Sequence, residues 1–154
     1  MPEHRATIEW RREIADFDYQ SYNRSHTWSF EGGIRVAAAA APGNIPAGAV
    51  RGPAVDPEQA FVAALASCHM LWFLHVACEA GYSVERYADE AVGVMSENAD
   101  TRIAITKVTL RPRVRFTGTA PDPTQHAELH ERAHEKCYIA NSVKSALVLE
   151  PRID

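Results

Sequence analysis

Phe61 to Cys78 is an eighteen-residue stretch without a single Asp, Glu, Lys or Arg. No other feature constrains the fold as strongly. A run of that length reaches the lower edge of a membrane span. Ser67, His69, His75 and several alanines dilute it, and no basic flank orients it. The reading that fits is a helix apolar on every side, buried in a core or between subunits. Asp56-Pro57-Glu58 marks its start. Asp caps free amides, Pro suits the first helical position, and Glu meets the positive end of the helix dipole. Gly81 supplies the stop, so the helix is expected to reach Ala80.

Short strands are predicted on both sides of this helix. His4 to Trp10 alternates weakly, and residues 11–24 read as a long loop. His26–Phe30 and Ile34–Ala39 flank Glu31-Gly32-Gly33, a hairpin signal. Pro42 to Val55 is rich in Pro and Gly and is read as an irregular connection. Beyond Gly81, Tyr87–Ser96 and Arg102–Phe116 are predicted as single strands joined at Glu97–Asp100. Apolar parity changes at Thr106-Lys107, predicting a bulge, and Pro112 predicts an edge position or a break. Asp122-Pro123 starts a second helix expected to reach about Tyr138, and Ser145–Ile153 ends the chain as a strand. The predicted order is β-β-β-α-β-β-α-β with antiparallel pairing, an α+β class.

The 154 residues make one domain's worth of chain, 46% of it hydrophobic, enough to bury a core without staples. A net charge of −4 argues against a nucleic-acid clamp or a polybasic membrane binder. Three cysteines are an odd count, which disfavours a secreted disulfide scaffold. The polar start, Met1 to Arg5, carries no signal-peptide pattern, so a reducing, cytoplasmic location is expected.

The cysteines then become candidates for chemistry. Cys68 lies midway along the apolar helix, Cys78 near its end and Cys137 near the end of the second helix. Cys68 and Cys78 stand about 15 Å apart along one helix and cannot bridge. Each cysteine could be a small buried hydrophobe, and Cys78 is read that way. A thiolate at Cys68 would need a cation from elsewhere, with Arg24, Arg51, Arg11 or Arg12 as donors, since a mid-helix position lowers no thiol pKa. His126, His130 and His134 recur every fourth residue, with Cys137 three further on. Zinc ligation is one reading of that stripe and a solvated helix face the other. C-x-x-C, H-E-x-x-H, P-loop, G-x-G-x-x-G and G-x-S-x-G are all absent, and no metal or cofactor is expected.

Asp56-Pro57-Glu58-Gln59-Ala60-Phe61, running on to Ser67-Cys68-His69, and His134-Glu135-Lys136-Cys137 on a second helix together resemble the OsmC/Ohr family of osmotically induced and organic-hydroperoxide-resistance proteins. The resemblance covers most of the chain. It implies an α+β fold with antiparallel sheets around two long central helices, and an intertwined homodimer. It also implies thiol-dependent reduction of organic hydroperoxides, and less well of hydrogen peroxide, in oxidative-stress defence. Cys68 would attack the peroxide and Cys137 resolve the sulfenic acid. Arg24 would activate Cys68 and Glu58 orient that arginine. An external dithiol of lipoyl type would restore the pair, with no metal, haem, flavin, nucleic acid or membrane involved. Ten helical residues separate Glu58 from Cys68 by about 15 Å and 80° of rotation, so Glu58 and Arg24 are expected to serve Cys68 of the partner subunit. The alternative is a non-catalytic dimer that binds a small apolar ligand. Phe61, Leu65, Leu71, Trp72 and Phe73 could line a pocket, with most of them expected to be core. Tyr138-Ile139-Ala140-Asn141 replaces the family's proline-containing sequence after the second cysteine, so the helix is expected to run on past Cys137.

Overall fold

The computed structural model describes residues 1–43 and 45–154, which form two compact units, Met1–Ala60 and Phe61–Asp154. In the first unit, β1 (Ala6–Glu9), β2 (His26–Phe30) and β3 (Arg35–Ala38) make an antiparallel sheet in that order. The predicted hairpin is present. Its turn places Gly32 at φ 80° and Gly33 at φ 83°, where a side chain would be strained. Residues 11–24 and 42–55 carry no strand or long helix among the described residues, and Val55 bridges Ala38.

Helix α1 (Pro57–Glu79) begins in the first unit and continues into the second. Its start is a reciprocal cap: Gln59 N–H donates to Asp56 Oδ1 at 2.7 Å, and Asp56 N–H donates to Gln59 Oε1 at 3.4 Å. At the other end Gly81 adopts φ 84°, Gly81 N–H donates to Cys78 C=O, and Tyr82 N–H donates to Ala77 C=O. That pair of bonds is the Schellman stop the glycine predicted.

The second unit adds β4 (Ser83–Asp89), β5 (Val92–Glu97), β6 (Ile103–Leu110), β7 (Pro112–Thr117), α2 (Pro123–Lys136), β8 (Ala146–Leu149) and β9 (Arg152–Ile153). Three stretches expected as single strands are each broken in two. The breaks fall at Glu90-Ala91, Arg111 and Glu150-Pro151. In each case the two halves join different sheets, one β4-β7-β9 and the other β5-β6-β8. Proline explains two of the three breaks. It cannot donate to a ladder, so Pro112 opens β7 and Pro151 ends the β8 pairing. The bulge is where parity placed it, since Val94 pairs Lys107 while Met95 pairs Ile105, leaving Thr106 extra. Pairing is not wholly antiparallel as expected: β6–β8 and β7–β9 are parallel. The observed order among the described residues is β-β-β-α-β-β-β-β-α-β-β.

Helix α2 carries the predicted capping box between Asp122 and Gln125. It stops at Lys136 instead of continuing past Cys137, which turns away at ψ 108°. The side-chain amide of Asn141 donates to Glu135 C=O at 2.9 Å, and Ser142 Oγ donates to Tyr138 C=O. Both carbonyls lie in or just beyond the last turn, so this chain closes α2 with side chains where a proline is missing.

Two apolar clusters hold the second unit. One gathers Phe73, Val76 and Ala77 of α1 with Val114, Leu129 and Ala133. The other gathers Leu65, Val108, Leu110 and Cys137, with Phe61 and Cys68 packed against it, and Trp72 touches both.

Candidate active site

α1 faces inward with Leu65, His69, Phe73, Val76 and Ala77, a spacing of three and four residues. That stripe turns Cys68, beside His69, partly inward, so it is half-buried. Cys137 is fully buried at the end of α2, and Cys78 is exposed, contrary to its reading as a buried hydrophobe. Leu65 and Phe73 are core, Phe61 and Trp72 pack at its margin, and Leu71 is 61% exposed.

The two cysteines singled out from the sequence meet. Cys68 packs against the cluster that holds Cys137, and its nearness adds to what raises the Cys137 pKa. Burial is the main cause that pushes Cys137 up, to about 11. The backbone N–H of Ala140, 3.4 Å from the sulfur, and that of Ile139 pull the other way without prevailing. Cys137 is therefore a protonated thiol at neutral pH, held against its neighbour.

Arg24 is buried at 7% exposure, unlike the other arginines considered: Arg51 pairs with Glu13 and Arg11 with Glu9 at the surface, and Arg12 is exposed. Its own loop holds it. Nη1 donates to Tyr22 C=O at 2.5 Å and Nη2 to Tyr19 C=O at 2.7 Å, and the guanidinium lies 3.5 Å from the Tyr22 ring centre. In the same unit Glu58 leaves Oε2 buried without a hydrogen-bond partner among the described residues. A buried carboxylate oxygen left unpaired is costly.

The histidine stripe does not face solvent. His126 and His130 are buried, with 4% and 1% exposure, because α2 has only Leu129 and Ala133 as fully apolar core residues and its imidazoles complete the face. His130 stacks on Phe73 at 4.2 Å and meets His126 edge-on at 4.7 Å. His69 Nε2 and His130 Nδ1 share a hydrogen bond of 3.0 Å. Burial drives the pKa of His69 down to about 4, and lowers those of His126 and His130. Among the described residues no three His, Cys, Asp or Glu side chains are placed to hold a metal ion. Sequence spacing flagged the stripe but not its partner His69, which comes from a helix 61 residues earlier.

A matched family profile and a matched structure accompany this geometry. The profile of OsmC-like proteins matches residues 50–152. The chain belongs to the OsmC-like family. An OsmC-like protein of unknown function from Vibrio cholerae O1 is 46% identical, with a TM-score of 0.93 over 98% of this chain and 99% of that one. An OsmC-like protein from Mycoplasma pneumoniae is 13% identical, with a TM-score of 0.72 over 99% and 96% of the two chains. The organic hydroperoxide resistance protein OhrB of Bacillus subtilis is 18% identical, with a TM-score of 0.64 over 99% and 98%. The last two likenesses speak to the fold. No curated protein matches the chain.

Proposed function

We propose that this OsmC-like chain is a two-cysteine thiol peroxidase that reduces organic hydroperoxides, hydrogen peroxide less well, in the cytoplasm. The observation that carries the reading is the approach of Cys68 and Cys137 within one apolar cluster, side chains from separate helices with one half-buried and the other sealed. The Cys68 thiolate attacks the distal peroxide oxygen. The O–O bond breaks, the alkoxide takes a proton and leaves as alcohol, and Cys68 becomes a sulfenic acid. Cys137 then attacks that sulfur. The S–S bond forms, hydroxide departs, and the thiol's proton makes it water. An external dithiol of lipoyl type reduces the disulfide and is itself oxidised to a cyclic disulfide. By the family resemblance, Arg24 stabilises the thiolate and the developing oxygen charge, and Glu58 orients it.

The working unit in this proposal is a homodimer. α1 is apolar all round, yet only one stripe of it is buried within the chain, and Ala63, Ala64, Leu71 and Cys78 lie exposed on the opposite side. An apolar helix half-covered by its own chain fits cover by a second copy. Glu58 and Arg24 then serve Cys68 of the partner subunit.

One equivalent of cumene hydroperoxide, followed by a count of free thiols, tests the activity. Loss of two thiols per chain, abolished in Cys68→Ser, is the expected result. Three unreacted thiols would overturn the reading and leave a non-catalytic binder of small apolar ligands.

A further inference from the structure

The His69–His130 bridge has no part in the chemistry just described, yet it is built at a cost. Its two inner nitrogens share one proton at 3.0 Å, with rings stacked at an interplanar angle of 6°. Whichever ring holds that proton, the outer atoms are stranded: His69 Nδ1 and His130 Nε2 are both buried without a partner among the described residues. Two phenylalanines would fill such a space without that penalty. The bridge joins the helices that carry the thiols. His69 follows Cys68 directly on α1, and His130 lies two helical turns before Cys137 on α2. Phe73 packs on the His130 ring and fixes its plane. Apolar contacts are non-directional and tolerate a helix sliding by a fraction of an ångström. A hydrogen bond between two ring nitrogens does not.

We infer that His69 and His130 are positioning residues for the thiol pair: their bridge sets the register of α1 against α2, so that Cys137 meets the Cys68 sulfur for disulfide closure. The inference rests on the peroxidase reading and assigns that reading's second step alone. Neither imidazole touches the peroxide, and the attack by Cys68 does not need the bridge.

The experiment follows both steps in one turnover. Full-length protein receives one equivalent of cumene hydroperoxide at neutral pH. Sulfenic acid at Cys68 is read by trapping with a 1,3-dione, and disulfide by the count of free thiols. His130→Phe keeps the ring and its contact with Phe73 but removes the bond. His130→Asn loses volume but keeps a polar atom near the Nδ1 position, and His69→Gln does the same for Nε2. Thermal melts rank the variants by stability. The expected result is closure slowed tenfold or more in His130→Phe and recovered to within threefold in His130→Asn, with sulfenic acid formation within twofold of wild type in both. Closure is then slow in the better-packed variant and fast in the worse-packed one, the reverse of what a filler residue would give. Closure that follows the melting temperatures, or is unchanged in His130→Phe, overturns the inference. Should His130→Asn fail to fold, His69→Gln against His69→Phe makes the same comparison. Neither sulfenic acid nor any loss of free thiols in wild type would instead refute the peroxidase reading, so the two failures are distinct.

Discussion

Cys137 lies in the apolar cluster against which Cys68 packs, at the end of a second helix 69 residues further along the chain. Cys137 is buried and Cys68 half-exposed on α1. That difference in burial sets an order of reactivity. At pH 7.5 a thiol with a pKa near 11 is ionised about a hundredfold less than one at 9.0.

Alkylation by iodoacetamide reads that order directly. In reduced protein made monomeric by Leu71→Glu, Cys78, exposed near the end of α1 in the single chain, is expected to label first. Cys137 is expected to label at least a hundredfold more slowly, and to join Cys78 only when urea unfolds the chain. Peptide mapping after timed quenching identifies the sites. Cys137 labelling as fast as Cys78 in native protein would contradict its burial.

The imidazole cluster makes stability fall with acid. The folded pKa values of His69, His126 and His130 lie below the unfolded value near 6.5. Their contribution is therefore complete above pH 6.5 and lost as pH falls toward the folded values. For His69 alone, a drop to about 4 corresponds to about 3 kcal/mol by pH 4. Asp89 opposes this in part. Burial raises its pKa, so its protonation favours the fold at low pH. Urea midpoints are expected to fall between pH 6.5 and 4, and to fall less in His130→Phe. A flat profile over that range would show that the cluster hydrates in the folded state.

Gly93 on β5 faces α1 with no room for a side chain. A Cβ there would sit 2.6 Å from Val62 Cγ2 and 3.3 Å from Ile105 Cγ2. Gly93→Ala is expected to destabilise by about 1–3 kcal/mol, because it overpacks a branched side chain held on two sides. Chemical denaturation measures it. Gly93→Ala with Val62→Ala should recover part of the loss.

Local chemistry made much of this fold legible. The caps at Asp56 and Asp122, the glycine stop at Gly81, the turn at Gly32-Gly33 and the bulge at Thr106 each depend on a few adjacent residues, and each stands where the sequence puts it. That Cys68 and Cys137 lie near one another was legible through family resemblance, not spacing. What escaped was non-local. Pro112 marks a break beside Arg111, yet nothing local says that β6 and β7 belong to different sheets. A parallel partner for β6 comes from Ala146–Leu149, across a whole helix. The His126–His134 stripe has the same period whether it faces water or Phe73, and only the arrival of His69 from α1 decides between them.

The exposed stripe of α1 predicts how the dimer fails. Leu71 is 61% exposed in the single chain, so a charge there costs the monomer little. In a dimer that buries it, Leu71→Glu is expected to lower the association constant tenfold or more, read by sedimentation at micromolar concentrations, with the monomer still folded by circular dichroism. Mixed dimers then test who serves whom. Cys68→Ser chains lack the nucleophile but keep Arg24 and Glu58, while Glu58→Ala chains keep the nucleophile. If each site is built from two chains, a Cys68→Ser subunit lends its intact Glu58 to the Cys68 of its partner. Mixing the inactive parents should then restore activity toward one site in four, since half the dimers formed are mixed and each of those holds one complete site. Activity no higher than the parents' average would place Glu58 and Cys68 in service of the same chain.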